Sequence, residues 1–247
     1  QGKSVANLVA MAPKERIAAL ETVKGFPEAD GECFVVMGTR RGVIKKTDLR
    51  AFRNRRAGGV VAMGIAETAD DEVVGAELTD GQGEIFIGTR GGRAIRFGEA
   101  AVRPMGRTAY GVRGIRLRDG DEVVAMTVVH PTGTVLTVTE NGYGKRTELK
   151  EYRSQSRGGL GMINIQTSVR NGRVAGITCV EPNDELILIT QQGKMLRMIS
   201  RDVRPIGRAT QGVRLIEIGK KDAVVSMAKL VESDEETADD VEQTVES

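Results

Sequence analysis

Every fifty residues this sequence returns to the same short pattern. Four segments begin alike: Phe34-Val35-Val36-Met37-Gly38-Thr39, Ile85-Phe86-Ile87-Gly88-Thr89, Val135-Leu136-Thr137-Val138-Thr139 and Leu186-Ile187-Leu188-Ile189-Thr190. Three residues after each closing threonine stands a glycine, Gly42, Gly92, Gly142 and Gly193, at spacings of 50, 50 and 51. Such a repeat is one supersecondary unit that cannot bury its apolar face alone and must stack on its neighbours. The short β-branched runs are strands packed on both faces. The glycines mark hairpins, and Asn141-Gly142 has the composition of a two-residue type I′ turn. A second strand follows each glycine. A second glycine, Gly59, Gly111, Gly161 or Gly212, opens a third. Val73-Val74, Val123-Val124, Val174-Ala175 and Val224-Val225 begin a fourth, after acidic turns such as Asp70-Asp71-Glu72 and Arg118-Asp119-Gly120-Asp121-Glu122. Four strands per repeat with turn residues between them predict an all-β propeller-like array with repeats starting near 34, 85, 135 and 186.

Residues 1–25 read as the second half of a further blade, with Gly2-Lys3-Ser4-Val5-Ala6-Asn7-Leu8 as its third strand and Ile17-Ala18-Ala19-Leu20 as its fourth. Residues 26–230 hold the four-blade array, and 231–247 an acidic, disordered tail. On this reading the chain starts within a blade and is part of a longer polypeptide. Apart from Ala12–Leu20 and the tail, no window keeps a helical period, so long helices are not expected.

Charge follows the repeat. The last seventeen residues hold eight acids and no Lys or Arg, which leaves 36 basic against 26 acidic residues in 1–230, a surplus of ten. Counted from the first glycine of each repeat, the fourth place is Lys46, Arg96, Arg146 and Arg197, and the eleventh is Arg53, Arg103, Arg153 and Arg204. The fifteenth is Arg107, Arg157 and Arg208, for which the shorter first repeat offers Arg55 and Arg56. Solvation alone would accept acids at some of these places. Identical offsets put the cations at equivalent points of successive blades, as a basic track along one rim. The turn cations Arg40, Arg41, Lys45, Arg90, Arg93, Lys145 and Lys194 are taken with them as candidate DNA-binding residues. A regular row of cations matches the phosphates of duplex DNA, which present one charge per ~1.7 Å of helix axis. A protein that follows phosphates along a curved rim bends the duplex, with deformability rather than base readout setting preference. The −8 tail is placed to compete with that ligand.

Other classes find little support. Aromatic residues make up 3% of the chain, too few for platforms that stack single-stranded bases. Cys33 and Cys179 lie in different repeats and are read as buried, reduced thiols, and His130 stands alone before Pro131, so no metal site is expected. No Gly-Lys-Ser/Thr phosphate loop and no acid/base constellation occurs, and Tyr110, Tyr143 and Tyr152 sit at repeat positions suited to packing or loop roles. No apolar stretch approaches the ~18–20 residues of a membrane span, and Gln1-Gly2-Lys3-Ser4 has no signal-peptide layout, so a soluble cytoplasmic protein is expected.

Four segments carry a family resemblance: residues 38–47 (Gly-Thr-Arg-Arg-Gly-Val-Ile-Lys-Lys-Thr), 110–117 (Tyr-Gly-Val-Arg-Gly-Ile-Arg-Leu), 140–147 (Glu-Asn-Gly-Tyr-Gly-Lys-Arg-Thr) and 207–213 (Gly-Arg-Ala-Thr-Gln-Gly-Val). Across essentially its whole length the chain resembles the C-terminal DNA-wrapping domain of bacterial DNA gyrase A, a type IIA topoisomerase. The resemblance implies a β-pinwheel, a disc whose blades exchange strands with their neighbours, and DNA wrapped on its outer edge in support of ATP-dependent negative supercoiling. It implies a complete disc of six blades, of which this chain holds the last four and half of the one before. The family's signature Gln-Arg-Arg-Gly-Gly-Lys-Gly belongs to the first blade. Gln155-Ser156-Arg157-Gly158-Gly159-Leu160-Gly161 is a copy that departs from it at Ser156 and Leu160 and so lacks two positive charges. Catalysis is implied elsewhere, by a tyrosine in the N-terminal part of gyrase A and by ATP hydrolysis, with Mg, in other parts of the holoenzyme. No catalytic residue and no cofactor are expected here. The implied partners are double-stranded DNA, the N-terminal part of gyrase A and the gyrase B polypeptide, in the bacterial cytoplasm at the nucleoid and not at a membrane. The C-terminal domain of the corresponding topoisomerase IV polypeptide, which selects DNA crossings, is the alternative within the family, and a propeller scaffold for acidic proteins the alternative outside it.

Overall fold

The computed structural model describes residues 15–23, 25–29, 31–54, 59–66, 70–129 and 133–230. Among these, fifteen strands form four antiparallel sheets. In the first blade, β1 (Phe34–Thr39) pairs with β2 (Val43–Asp48) and with β3 (Val73–Thr79). The next repeat supplies β4 (Glu84–Thr89), β5 (Arg93–Gly98), β6 (Val112–Arg113) and β7 (Val123–Val129). The third repeat supplies β8 (Thr134–Thr139), β9 (Tyr143–Glu148), β10 (Met162–Ile163) and β11 (Val174–Val180). The last supplies β12 (Glu185–Thr190), β13 (Met195–Ile199), β14 (Val213–Arg214) and β15 (Val224–Lys229). Sheet orders are β3-β1-β2-β6, β10-β5-β4-β7, β11-β8-β9-β14 and β13-β12-β15.

The third strand of each repeat therefore serves the preceding blade. β6 adds to β2 through Val43↔Arg113 and Ile44↔Val112, β10 to β5 through Arg93↔Ile163, and β14 to β9 through Tyr143↔Arg214. This is the strand exchange of a pinwheel. It corrects the reading of the third strand as an alternating strand within its own blade. The donated strand is two residues long, and backbone hooks hold the chain beyond it. The N–H groups of Gly114 and Ile115 both donate to Gly42 C=O, those of Asn164 and Ile165 to Gly92, and those of Leu215 and Ile216 to Gly142. The apolar residues that suggested a longer strand, Ile115, Ile165 and Ile216, are buried between blades instead.

Two further expectations are corrected. The hairpin at Asn141-Gly142 closes by Gly142 N–H donating to Thr139 C=O at 3.0 Å, so Glu140 and Asn141 are the central residues. Gly142 follows them at φ 77, the left-handed bulge position that glycine occupies without penalty. Asn141 ties the tip down through Nδ2, which donates to the carbonyls of Val169 and Arg170. The strand expected at Ile17–Leu20 and the third strand expected to open at Gly59 do not form among the described residues; Ile17 and Leu20 lie exposed, with Leu20 at 80%. The proposed strand at 2–8, His130 and the acidic tail lie outside the described residues.

The core lies between blades. One cluster joins Val36 and Ile44 to Ile85, Ile95 and Phe97; a second joins Phe86 and Val135 to Leu149, Tyr152 and Ile177; a third joins Leu136 and Val138 to Leu186, Leu188 and Val203. Packing on both faces explains continuous apolar runs in antiparallel sheets, which normally alternate. Close approach also selects residues: a Cβ on Gly88 would collide with Ile177 Cδ1. In the last blade β12 alternates between buried and half-buried, whereas β4 and β8 are buried nearly throughout, because among the described residues no further blade covers its outer face. No helix among the described residues is long and apolar enough to cross a membrane. Short 3-10 turns follow the second strands at Leu49–Phe52, Glu99–Ala101, Leu149–Glu151 and Ser200–Asp202.

Candidate nucleic-acid interface

Successive strands β3, β7, β11 and β15 contact one another and line the inner side of the array. The donated strands stand on the opposite edge of their sheets. From each of the last three 3-10 turns the chain crosses to the outer edge of the preceding blade's second strand. Met105 N–H donates to Lys46 C=O, Gln155 N–H to Arg96 C=O and Ile206 N–H to Arg146 C=O, each at 2.8 Å. The eleventh and fifteenth places of the repeat lie on this crossing segment, on the outer edge.

Arg103, Arg153 and Arg204, at the eleventh place, each stand two residues before one of those hooks and mark the three seams between blades. Arg53 occupies the same place after its own turn. All four are exposed, and among the described residues none has a side-chain hydrogen bond or ion pair. The buried residue just before the crossing, Val102, Tyr152 or Val203, anchors the segment, and each next residue is an arginine pointed away from the core. Tyr152 is held by its ring edge-on to Phe86 with centroids 5.0 Å apart, and its hydroxyl donates to Asn164 Oδ1 at 2.5 Å. Burial pushes that phenol above its ordinary range.

The fifteenth place stitches one donated segment to the next. Arg107 Nη1 donates to Val61 C=O at 3.4 Å, Arg157 Nη1 to Arg113 C=O at 2.6 Å and Arg208 Nη1 to Ile163 C=O at 2.8 Å. Val61, Arg113 and Ile163 are each two residues past the second glycine of the preceding repeat. These guanidiniums are half-buried, so they join the outer edge with part of their surface only. Arg55 and Arg56 lie outside the described residues.

The fourth place is taken out of the candidate track by burial. Lys46 is enclosed, 3.2 Å from Glu99 Oε1 and with its ammonium 5.0 Å from the Phe34 ring centroid. Arg96 pairs with Glu84 and donates through Nη1 to the carbonyls of Leu149 and Tyr152. Arg146 Nε donates to Val203 C=O at 3.1 Å. Each of these three cations thus grips the 3-10 turn of the following repeat, which leaves little of it exposed to an outside ligand. Arg197, for which no following 3-10 turn occurs among the described residues, is exposed and paired with Glu185.

Most turn cations are also occupied. Arg40 and Arg41 both pair with Asp70 at 2.7 Å, and Arg90 bridges Glu122 and Glu140 at 2.7 and 2.5 Å. With Arg40 lying 3.6 Å from Glu122, they form a charge ladder across the first three blades. The Arg40 guanidinium, with Arg41, holds the Asp70 carboxyl below its usual range. Arg93 donates to the carbonyls of Leu160 and Gly161, and Lys194 to that of Glu217. Lys45 and Lys145 are completely buried.

Two outer-edge cations were not singled out by their offsets. Arg113 and Arg116 are exposed on and just past β6 and have no side-chain partner among the described residues. Their signal is the spacing in Tyr110-Gly111-Val112-Arg113-Gly114-Ile115-Arg116, where cations fall on the side away from buried Ile115. Cys33 and Cys179 are free and half-buried rather than fully enclosed, and no cluster of metal-ligating residues occurs among the described residues.

Four strand-exchanged blades with free arginines along their outer edge define a class, and comparison with known proteins agrees. The family model described as the DNA gyrase C-terminal domain, a beta-propeller, matches residues 34–80, 83–130, 133–181 and 184–230, one match per repeat. The chain belongs to this family. It is 41% identical over 247 residues to the DNA gyrase A polypeptide of Staphylococcus aureus strain MRSA252, covering 99% of this chain and 27% of that protein. It thus spans about a quarter of the length of the curated relatives it matches. Among solved structures, the C-terminal domain of DNA topoisomerase IV superposes with a TM-score of 0.85 at 26% identity, covering 93% of this chain and 70% of that one. A DNA gyrase A C-terminal domain gives 0.82 at 24% identity, over 93% and 75%, a likeness of fold.

Proposed function

We propose that the chain binds duplex DNA along its outer edge and bends it across successive blades, as the C-terminal part of a gyrase A polypeptide. One observation carries this reading: the eleventh-place arginines stand free at successive seams, while the other repeated cations are largely consumed within the fold. Three to six arginines spaced along a curved edge bind phosphates without reading bases, and the duplex must curve to meet them all. The holoenzyme role is inferred from family membership: with the N-terminal part of gyrase A and with gyrase B, in the bacterial cytoplasm, the bent segment is presented for ATP-dependent negative supercoiling. Catalysis and the nucleotide and metal chemistry belong to those other parts. Identity of 41% to gyrase A along nearly the whole chain supports gyrase over topoisomerase IV.

The test is binding and bending measured on duplexes of increasing length. Affinity and bend angle rise until the duplex reaches all four blades and then level off. Affinity independent of length, with no bend, contradicts the proposal and favours a scaffold that holds acidic ligands without wrapping them.

A further inference from the structure

Lys45 on β2 and Lys145 on β9 are both fully enclosed and stand at the same place of their repeats, three residues after the turn glycine. The corresponding residues of the other two blades are Ile95 and Leu196. The position is therefore a core slot that two blades fill with an ammonium. Neither lysine has a carboxylate within ion-pair distance among the described residues, although a buried cation ordinarily requires one. Both ammoniums instead point at the outer-edge loop that the next repeat lays over the blade. Lys45 Nζ donates to Arg107 C=O of that loop and, at 2.6 Å, to Ala62 C=O of its own repeat. Lys145 Nζ donates to Thr147 Oγ1 and, at 3.4 Å, to Gly207 C=O, while Thr147 Oγ1 donates to Ile206 C=O at 2.9 Å. The loops so held carry Arg107 and Arg208. Between them, in the second blade, the equivalent loop rests on an apolar side chain: a Cβ on Gly159 would lie 3.7 Å from Ile95 Cδ1.

We propose that Lys45 and Lys145 are positioning residues for the DNA-binding edge: each holds from beneath the loop that presents Arg107 or Arg208, so that a phosphate settling on the arginine is felt by the lysine below it. The inference rests on the reading of the outer edge as the DNA site. Its physical basis is the pairing of like charges. Burial lowers the Lys45 ammonium to about 8, with the Arg107 guanidinium adding to the effect. Burial lowers Lys145 to about 7; Arg208 adds to this and Glu151 opposes it. The Tyr152 hydroxyl, which stays neutral through this range, is the other titratable group near Thr147 on that side. A phosphate on the arginine cancels its repulsion and raises the pKa of the lysine beneath. Binding then takes up protons wherever the lysine is partly deprotonated in the free protein. The sign is fixed: the bound state has the higher pKa, so affinity is fully present below the free-state value and is lost as pH rises through the bound-state value. The second loop, on Ile95, contributes no such dependence.

Calorimetry of DNA binding by the unmodified chain, repeated at pH 7.5 in buffers of different ionisation enthalpy, reads the proton count directly. A net uptake, up to roughly one proton per chain, is expected, with affinity about three- to tenfold weaker at pH 9 than at pH 6.5. Lys145→Met, which fills the slot without a charge, is expected to lose most of the uptake at pH 7.5 and to leave only the weaker pH dependence due to Lys45; Lys145→Arg is expected to keep more of the low-pH affinity at pH 9 than the unmodified chain does. Should the methionine variant fail to fold, Arg208→Gln in the otherwise unaltered chain is expected to remove the same uptake. DNA binding with no proton uptake at pH 7.5, or uptake unchanged in Lys145→Met and Arg208→Gln, overturns the proposal while leaving the outer-edge site intact. Absence of DNA binding by the unmodified chain at every pH sinks the site itself.

Discussion

Two rows of cations recur on this chain with equal regularity and do opposite things. Lys46, Arg96 and Arg146 lie inside the seams and grip the next repeat's 3-10 turn. Arg53, Arg103 and Arg153 lie seven residues later on the same repeats, and with Arg204 at the same place of the last they stand outside the seams and grip nothing among the described residues. A fixed offset establishes that side chains are equivalent from blade to blade; it does not establish that they are exposed. The first row is explained by the backbone carbonyls and acids of the following repeat. The second has no explanation within the described fold, and an external anion supplies one.

The largest effect separating the rows is on stability. Lys46→Met strands the Glu99 carboxylate, which is fully buried and keeps only Thr79 Oγ1 as a 2.6 Å donor. Loss of one partner of such a pair costs about 3–5 kcal/mol, read by urea denaturation. A loss below about 1 kcal/mol would break the distinction. The next effect compares two residues at one offset. Arg96→Ala removes charge-assisted hydrogen bonds to buried carbonyls and should cost about 2–3 kcal/mol. Arg197→Ala, at a side chain 67% exposed, should cost under about 1 kcal/mol. Equal losses would show that the following turn is not what stabilises the row. The smallest effect is at the hairpin tip: Arg41→Ala removes an exposed pair with Asp70 and should leave both the melting curve and DNA affinity at their unmodified values.

Much of the fold was legible in the sequence because strand runs and positive-φ glycines are local. Gly42, Gly92, Gly142 and Gly193 have φ between 77 and 84. The exchanged strands were legible only through the family resemblance, since backbone hooks to a glycine carbonyl leave little side-chain pattern. Burial of the fourth-place cations had a faint signal. Lys46 is the one lysine of its row, and the following turn carries Glu99 where the other repeats have Leu49, Leu149 and Ser200. Arg113 and Arg116 escaped the offset count because the repeats vary there, with Val61, Ile163 and Arg214 in place of Arg113.

The salt dependence of DNA binding by Arg103→Ala/Arg153→Ala/Arg204→Ala tests the central claim most directly. Each lost phosphate contact should lower the slope of log affinity against log salt by about 0.9, so the triple variant should lose roughly two to three in all, in equal steps, with its folding stability unchanged. A triple variant that folds and binds with the slope of the unmodified chain would contradict the account.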